Sequence, residues 1–525
     1  MGKSHVSDGM FAPFLTIPVK TLTNPKKCPF LKNQPHRIPQ IGQVLSRFCC
    51  SLETEQFLLG VAWLKMRTPK WRNLNLFIFA RCSADNRCGA LRKERRRYYN
   101  LSMQLVDPRD NLDFATIPID PRWNIGDDTE PKMHRIHAYP AKFPAFLASK
   151  SIDYARSENI PCRIVGDIFC GCGTVAYESL RKGVNFWGCD INPVAVLIAS
   201  VKSQPGYQPG WLERYRTQIL QSHRRIRSEN CPISQVAFER IAHWFEPKQI
   251  ADLSRLLKAI RQTLPENSKY RDFFLCAFSN ILKTTSRWLT RSIKPQVDPR
   301  KICTPVLDAF QNQCQLMFQA NESNDLPKNR TATILKGNFL SINPPKKLNL
   351  IITSPPYVTS YEYADLHQLS ALWLGYADDY RELRQGSIGS FYNKFNFQSE
   401  AAKLNQTGSK VVFSLYNEDR YQARAIAKYY LDMQEMTKKV SDILAPRGMV
   451  VFVIGDTEYK GIRIENARHL VESLASNGFR NVLVTKRKIS NKILTPYRDA
   501  IGRFTTNSES RKVYSEEFIV VGKRS

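Results

Sequence analysis

The segment RIVGDIFCGCGTVAYESLRKGVNFWGCDINPVAVLIASVK (residues 163–202) constrains the fold more than any other stretch of the chain. RIVGDIF reads as a buried strand, and TVAYESLRKG has helical spacing with a glycine stop at Gly183. NFWGCDIN is a second short strand, and a further helix follows it. Strand, glycine-rich turn, helix and strand in this order form a β-α-β unit. Such a unit demands a parallel sheet with right-handed crossovers.

The turn inside that unit, DIFCGCGT (167–174), carries the first chemical signal. Asp167 ends a strand. Gly171 and Gly173 let the backbone turn tightly and approach a ligand where a side chain would block it. The helix that follows offers free N–H groups and the positive end of its dipole. Asp190, at the tip of the second strand, is the acid expected to hydrogen-bond ribose hydroxyls. Together these features point to a cofactor that contains a nucleoside. The loop lacks the third glycine of the dinucleotide fingerprint and the Lys-Ser/Thr of a P-loop, which disfavours NAD and nucleoside triphosphates. Cys170 and Cys172 read as small residues filling the turn, because two ligands alone do not make a zinc site. No metal is expected.

The second signal is LNLIITSPPYVTSYEY (348–363), where an apolar strand runs into Ser354-Pro355-Pro356-Tyr357. Two prolines stop a strand abruptly, since proline cannot donate to the ladder. Open α/β sheets bind ligands at the carboxyl ends of their strands, so residues 167–174, 190 and 354–357 should converge there.

Between the two signals the alternation breaks. WLERYRTQILQSHRRIRS, AFERIAHWF, KQIADLSRLLKAIRQTL and YRDFFLCAFSNILKTTSRWLTRS all have helical periodicity, so residues 203–330 read as a basic, mainly helical insertion. Strands resume at TATILKGNFLS (331–341), and a long helix is expected from about Tyr421 to Leu444. The strand MVVFVIGDT, the helix ENARHLVESLASNG and two final strands, RNVLVTKRK and EEFIVVGKR, close the chain. Residues 1–105 carry an apolar patch, QFLLGVAWL, and a basic run, RKERRRYYN, but no chemical motif. They form an N-terminal extension of unknown role.

Charge bounds the partner. The 77 Lys and Arg against 47 Asp and Glu leave a net charge of +30, which favours a polyanion and above all nucleic acid. No apolar run approaches the roughly 18 residues of a membrane span. The start of the sequence has no secretory apolar region. The 13 cysteines show no repeating framework, so a cytoplasmic, reducing location with free thiols is expected.

At this point a family resemblance becomes specific. The pattern FxGxGT after a strand Asp, with an acid closing the next strand, resembles motifs I and II of class I S-adenosylmethionine methyltransferases. TSPPY resembles motif IV of the amino-methyltransferases that modify exocyclic amines of DNA bases. HRIHAYPAKFPAFL (134–147) resembles motif X of the cytosine-N4 and adenine-N6 DNA methylases. YEYADLHQLSALWLG (361–375) and VFVIGDTEYKG (451–461) resemble the segments that follow motif IV. The resemblance covers about residues 130–200 and 331–525 and leaves the insertion and the first hundred residues outside it.

It implies an α/β, Rossmann-like class I methyltransferase with a mainly parallel seven-stranded sheet. Residues 106–202 would be the cofactor half and residues 331–525 the catalytic half. S-adenosylmethionine would be held by Tyr139, Pro140, Ala141, Lys142, Phe143, Asp167, Phe169, Gly171, Gly173, Thr174 and Asp190. Asn338 stands where the family often has an acid near the adenine ring. Ser354, Pro355, Pro356 and Tyr357 would carry the chemistry. An exocyclic amine is a poor nucleophile because its lone pair is delocalised into the ring. Acceptors on its two hydrogens, the Ser354 hydroxyl and the Pro355 carbonyl, would favour the pyramidal form. The two prolines preorganise these acceptors. Tyr357 would stack a base flipped out of the duplex.

The expected reaction is therefore site-specific methylation of double-stranded DNA. Ser at the first position leans towards cytosine N4. Adenine N6, an RNA base, or a nucleic-acid-binding protein without turnover are the alternatives. A site-specific modification methylase would have a cognate restriction endonuclease as partner. Two basic stretches are candidate DNA contacts: KTTSRWLTRSIKPQVDPRK (283–301), with Arg287, Trp288, Arg291 and Lys294, and TKRKISNKILTPYRDAIGRFTT (485–506), with Lys486, Arg487, Lys488, Lys492 and Arg498. The first stretch could equally belong to a helical cap that packs on the sheet.

Overall fold

The computed structural model describes the strands Leu58–Val61 and Ile78–Arg81 and, from residue 103 onward, all but residues 108–111, 127–128, 228–232, 291, 293, 359–362, 391–394, 490–496, 499–503, 506, 508–510 and 513–514. The chain divides into two compact units, residues 1–94 and 95–525. In the first, Leu58–Val61 and Ile78–Arg81 pair antiparallel, Leu58 opposite Arg81.

The second unit is built on one sheet of eight strands. In chain order they are β1 (Gln104–Leu105), β2 (Ile164–Asp167), β3 (Asn185–Asp190), β4 (Ala332–Lys336), β5 (Leu348–Thr353), β6 (Leu444–Ile454), β7 (Phe479–Lys488) and β8 (Glu516–Arg524). Their spatial order is β1-β7-β8-β6-β5-β2-β3-β4. The run β4-β3-β2-β5-β6 is parallel throughout. β8 lies antiparallel between β6 and β7.

The sequence predicts seven strands, and the eighth is β1. It pairs antiparallel with the edge strand β7, Leu105 opposite Leu483. Two residues are too few to carry a period-2 pattern, and Leu105 is exposed, so nothing local marks this strand.

The central strands are apolar on both faces, as a sheet covered on both sides requires. Leu350 and Ile352 face one core with Val451 and Val453, while Ile351 faces the other with Val450 and Phe452. The first core is covered by α1 (Ala145–Ser157) and α2 (Thr174–Arg181). Across the sheet lie, in chain order, α10 (Gln406–Tyr416), α11 (Arg420–Ile443) and α12 (Asn466–Ser476). The α2 helix ends as its sequence predicts, with Gly183 in the left-handed region at φ 71°.

Between β3 and β4 run α3 (Pro193–Ser203), α4 (Pro209–Arg225), α5 (Gln235–Trp244), α6 (Pro247–Thr263), α7 (Lys269–Ile281) and α8 (Val306–Glu322). The α3 helix follows β3 directly. The other five lie in the stretch 203–330 read as an insertion, and α8 is a helix not singled out from the sequence. The α7 helix stops well short of the periodic stretch read through residue 292. The hydroxyls of Thr284 and Thr285 donate to the Ile281 carbonyl at 2.8 and 3.0 Å and turn the chain out of the helix.

The insertion shares one hydrophobic cluster with α2, α3 and α9 (Gln368–Leu374). Trp288 belongs to that cluster. It is buried and stacks on Trp244 with ring centroids 4.9 Å apart. Trp288→Ala should therefore lower stability by about 3–5 kcal/mol, as for other large core truncations, read as a drop in the urea midpoint. A variant of unchanged stability with weakened DNA binding would instead return Trp288 to the surface.

Candidate active site

The site forms where β2 and β5 leave the sheet. Parallel pairing sets Val165 opposite Leu350 and Gly166 opposite Ile351, so Asp167 and Thr353 reach the carboxyl edge together. The Thr353 hydroxyl donates to Asp167 Oδ1 at 2.6 Å, and both residues are buried. The glycine-rich loop starts immediately after Asp167, and Ser354-Pro355-Pro356-Tyr357 starts immediately after Thr353. Two segments that the sequence separates by the whole insertion thus emerge side by side.

Burial pushes the Asp167 carboxyl up to about 7. Hydrogen bonds from Thr353 and from the Phe169 N–H pull against that rise, and the nearby Asp190 adds to it. Burial also raises Asp190, whose Oδ1 accepts the Asn192 N–H at 2.8 Å and whose Oδ2 accepts the Gly171 N–H at 2.7 Å. Asp190 is thus an anchor for the loop, and each of its oxygens keeps a second lone pair.

Gly171 and Gly173 both lie in the left-handed region, at φ 50° and 74°. A Cβ on Gly173 would sit 2.7 Å from Ala199 of α3, so only glycine lets the loop pack there. Gly173 is also the N-cap of α2 and supplies no side-chain acceptor to that helix end. Thr174 opens α2 and is buried. Phe169 stands edge-on to Phe339, with centroids 6.5 Å apart.

One wall of the cradle comes from the HRIHAYPAKF stretch. The Tyr139 ring edge lies 3.6 Å from where a Cβ on Gly171 would stand. Its ring stacks on His367, with centroids 4.8 Å apart, and Asn192 Nδ2 donates to His367 Nδ1 at 2.9 Å. Lys142 binds within its own turn, donating to the His134 carbonyl at 3.0 Å and pairing with Glu130 at 2.6 Å. Ala141 adopts φ 53°, Pro140 is half-buried, and Phe143 packs against the core beside α1. Asn338 spends its amide on the protein. It caps the turn at Phe339–Ser341 through the Leu340 N–H and donates to the Gly386 carbonyl at 3.0 Å.

At the corner itself Pro355 is buried, and Ser354, Pro356 and Tyr357 are half-buried. The Tyr357 hydroxyl donates to Glu517 Oε1 at 3.1 Å. The sequence reading missed Glu517, His367, Asn192 and Thr353 as parts of the site. The local sign for Glu517 is an acidic pair ahead of the apolar run at 518–521.

The candidate DNA contacts divide. Lys486 and Arg487 do not face solvent, contrary to expectation. Both are buried in β7, Lys486 pairing with Glu516 at 3.5 Å and Arg487 with Glu517. As neighbours in a strand they point to opposite faces of the sheet, both buried, and each pairs with an acid of β8. Arg287 donates to the carbonyl oxygens of His243 and Ala242, at 2.9 and 3.4 Å, where α5 ends. Lys294 and Lys488 are exposed. Arg291 and Lys492 lie outside the described residues, and Arg498 is described only as part of the short strand Tyr497–Arg498.

No family model matches the chain. The chain is similar to a type II methyltransferase. That protein is M.MvaI of Kocuria varians, 25% identical over 396 residues that cover 70% of this chain and 86% of that one. Among solved structures, an S-adenosylmethionine-dependent methyltransferase from Clostridium acetobutylicum ATCC 824 has 9% identity and a TM-score of 0.24, covering 73% of this chain and 94% of that one. The glycopeptide N-methyltransferase MtfA has 8% identity and a TM-score of 0.23, covering 71% and 94%.

Two outcomes follow from the geometry. Gly173→Ala should destabilise the protein through both strained φ and the clash with Ala199, which a lowered thermal midpoint would register. Asp167→Asn should change how stability depends on pH. The folded-state value near 7 lies above the ordinary carboxylate value of about 3.9, so this group costs stability as pH rises from about 4 to about 7. Over that window the asparagine variant should gain on the wild type by up to roughly 1.4 kcal/mol per pH unit. Parallel pH profiles in chemical denaturation would refute the assignment.

Proposed function

We propose that this chain is an S-adenosylmethionine-dependent DNA methyltransferase that modifies the exocyclic amine of a base turned out of the duplex, with cytosine N4 as its target. The observation that carries the reading is the junction of the glycine-rich loop and the SPPY corner at adjacent strand ends, clamped by the 2.6 Å bond between Thr353 and Asp167. Similarity to a type II methyltransferase over 70% of the chain supports it. So does the net charge of +30.

The cradle fits the cofactor. Its floor is bare backbone at Gly171 and Gly173, where a Cβ would come against Tyr139 or Ala199. Its rim carries Asp190, each of whose oxygens accepts one backbone N–H and keeps a second lone pair. Tyr139, Phe169, Thr174 and Asp190 would hold the nucleoside end. Pro140, Ala141, Lys142 and Phe143 would shape the turn that presents Tyr139, and Asn338 would steady the segment beside the adenine. When bound, the cofactor supplies an electrophilic methyl group.

The chain's own groups do the rest. Ser354 Oγ and the Pro355 carbonyl would accept the two amine hydrogens and draw the nitrogen towards pyramidal geometry. Pro355 and Pro356 hold those acceptors rigid, so no ordering is needed at each turnover. Tyr357 would receive the ring of the flipped base. On this reading residues 106–202 are the cofactor half, 203–330 contribute to target recognition, and 331–525 are the catalytic half. Lys294 and Lys488 would meet phosphates, and a restriction endonuclease of the same specificity would be the natural companion.

The test is mass spectrometry of nucleosides from cells expressing the chain beside a Ser354→Ala variant. N4-methylcytosine should appear with the wild type and fall by about 100-fold or more in the variant, the scale for losing a preorganised polar group. N6-methyladenine instead would move the target base. Absence of either would reject the reading.

A further inference from the structure

Tyr357 carries the largest side chain of the SPPY corner, and its ring must hold an orientation across a flexible Cα–Cβ bond. Proline locks the backbone before it but not its ring. What holds the ring comes from the other end of the chain. The Tyr357 hydroxyl donates to Glu517 Oε1 at 3.1 Å. Glu517 is the second residue of β8, directly opposite Arg487 in the antiparallel register with β7. The other carboxylate oxygen, Oε2, takes the Arg487 guanidinium. The Arg487 side chain is buried and Glu517 nearly so, with 5% and 15% of their side chains exposed. The Arg487 guanidinium also lies over the Phe146 ring of α1, 5.8 Å from its centre.

The neighbouring strand leaves room for this arrangement. Register puts Phe518 opposite Ile454, so Glu517 lies beside Gly455 just past the end of β6. A Cβ on Gly455 would stand 3.6 Å from the Tyr357 ring and 4.0 Å from Glu517 Cγ. The bare glycine forms the side of a slot that tyrosine and glutamate share. An isolated surface tyrosine needs no such support. Burying the Arg487 cation costs desolvation, which its pairing with Glu517 and the bond from the Tyr357 hydroxyl to the same carboxylate offset.

We infer that Glu517 is a positioning residue for methyl transfer, holding the Tyr357 ring as a fixed platform for the flipped base, with Arg487 holding Glu517 in turn. This rests on the methyltransferase reading above. It adds a role for the last strand, which no motif of the sequence marks. Because the platform is set before the base arrives, its ordering cost is met in folding and not at each turnover.

The experiment uses the full-length protein, S-adenosylmethionine and plasmid DNA from a methylation-deficient host. It compares wild type, Tyr357→Phe, Glu517→Gln, Glu517→Ala and the Tyr357→Phe/Glu517→Ala pair. Tyr357→Phe keeps the ring and removes the hydroxyl that bonds Glu517, so it should lower kcat by about tenfold, the scale of one hydrogen bond to a charged group. Cofactor affinity by calorimetry and the thermal midpoint should not move in that variant. Glu517→Gln keeps an acceptor and should recover most of the rate. Glu517→Ala should match Tyr357→Phe, and the pair should be no slower than either single change. If Tyr357→Phe is as fast as the wild type, or if the two losses multiply in the pair, Glu517 does not act through Tyr357. A wild type that methylates no base at all would overturn the enzyme reading itself, which is a different result from a working enzyme indifferent to these changes.

Discussion

The hydroxyl of Thr353 and the carboxylate of Asp167 meet across a separation of 186 residues. Everything proposed for this chain depends on that meeting. Strand pairing has a side-chain period of two, so a one-residue slip of β5 against β2 would turn Thr353 to the opposite face. It would also carry the SPPY corner along the edge, away from the glycine-rich loop. The hydrogen bond works only in the native register, and burial makes its absence costly, because an orphaned carboxylate in the core has no water to turn to. The raised pKa of Asp167 has the same origin as its structural value, since the clamp must lie in the interior.

The second dependence runs through the helices of residues 203–330. They do not stand apart from the HRIHAYPAKF stretch. His137 Nε2 bonds the Ser279 hydroxyl of α7 at 2.9 Å, and Ser279 continues to Ser370 at 2.8 Å. Gln313 of α8 donates to the Ile136 carbonyl at 2.7 Å, and Asn280 accepts the Ala138 N–H at 2.8 Å. The stretch that leads into Tyr139 is therefore held from the insertion side. Burial keeps His137 neutral, pushing it down to about 3, so these contacts stay in one protonation state across ordinary pH. His134 is likewise buried, against Glu178 at 2.8 Å. Residues that read as part of a cofactor motif are thus bonded to α2, α7 and α8.

Charge tells how much positive surface the chain carries and not where it lies. Lys202 shows the limit: it is buried and donates to Cys172 Sγ of the glycine-rich loop at 3.3 Å. Lys486 and Arg487 read as two cations in a basic loop because sequence sees only their neighbours. Glu516 and Glu517 lie 30 positions away, and antiparallel pairing sets Glu517 opposite Arg487 and brings Glu516 within 3.5 Å of Lys486. Trp288, which lies past the end of α7, is drawn inward in the same way, by Trp244 at the end of α5.

The sequence by itself determined the parts whose meaning is local. A glycine at φ 74°, a helix stop at Gly183, an acid at a strand tip and two prolines after an apolar run all act through their own backbone or the next turn. For that reason the β-α-β unit, the parallel sheet and the composition of both loops are legible in the order of residues alone. Tertiary structure decided which of these residues meet and which charges are inside. The pairing of Thr353 with Asp167, the stack of Tyr139 on His367, and the chain from Tyr357 through Glu517 to Arg487 each join segments far apart in sequence. Their energies arise from burial and cross-strand register, and neither quantity exists until the sheet has formed.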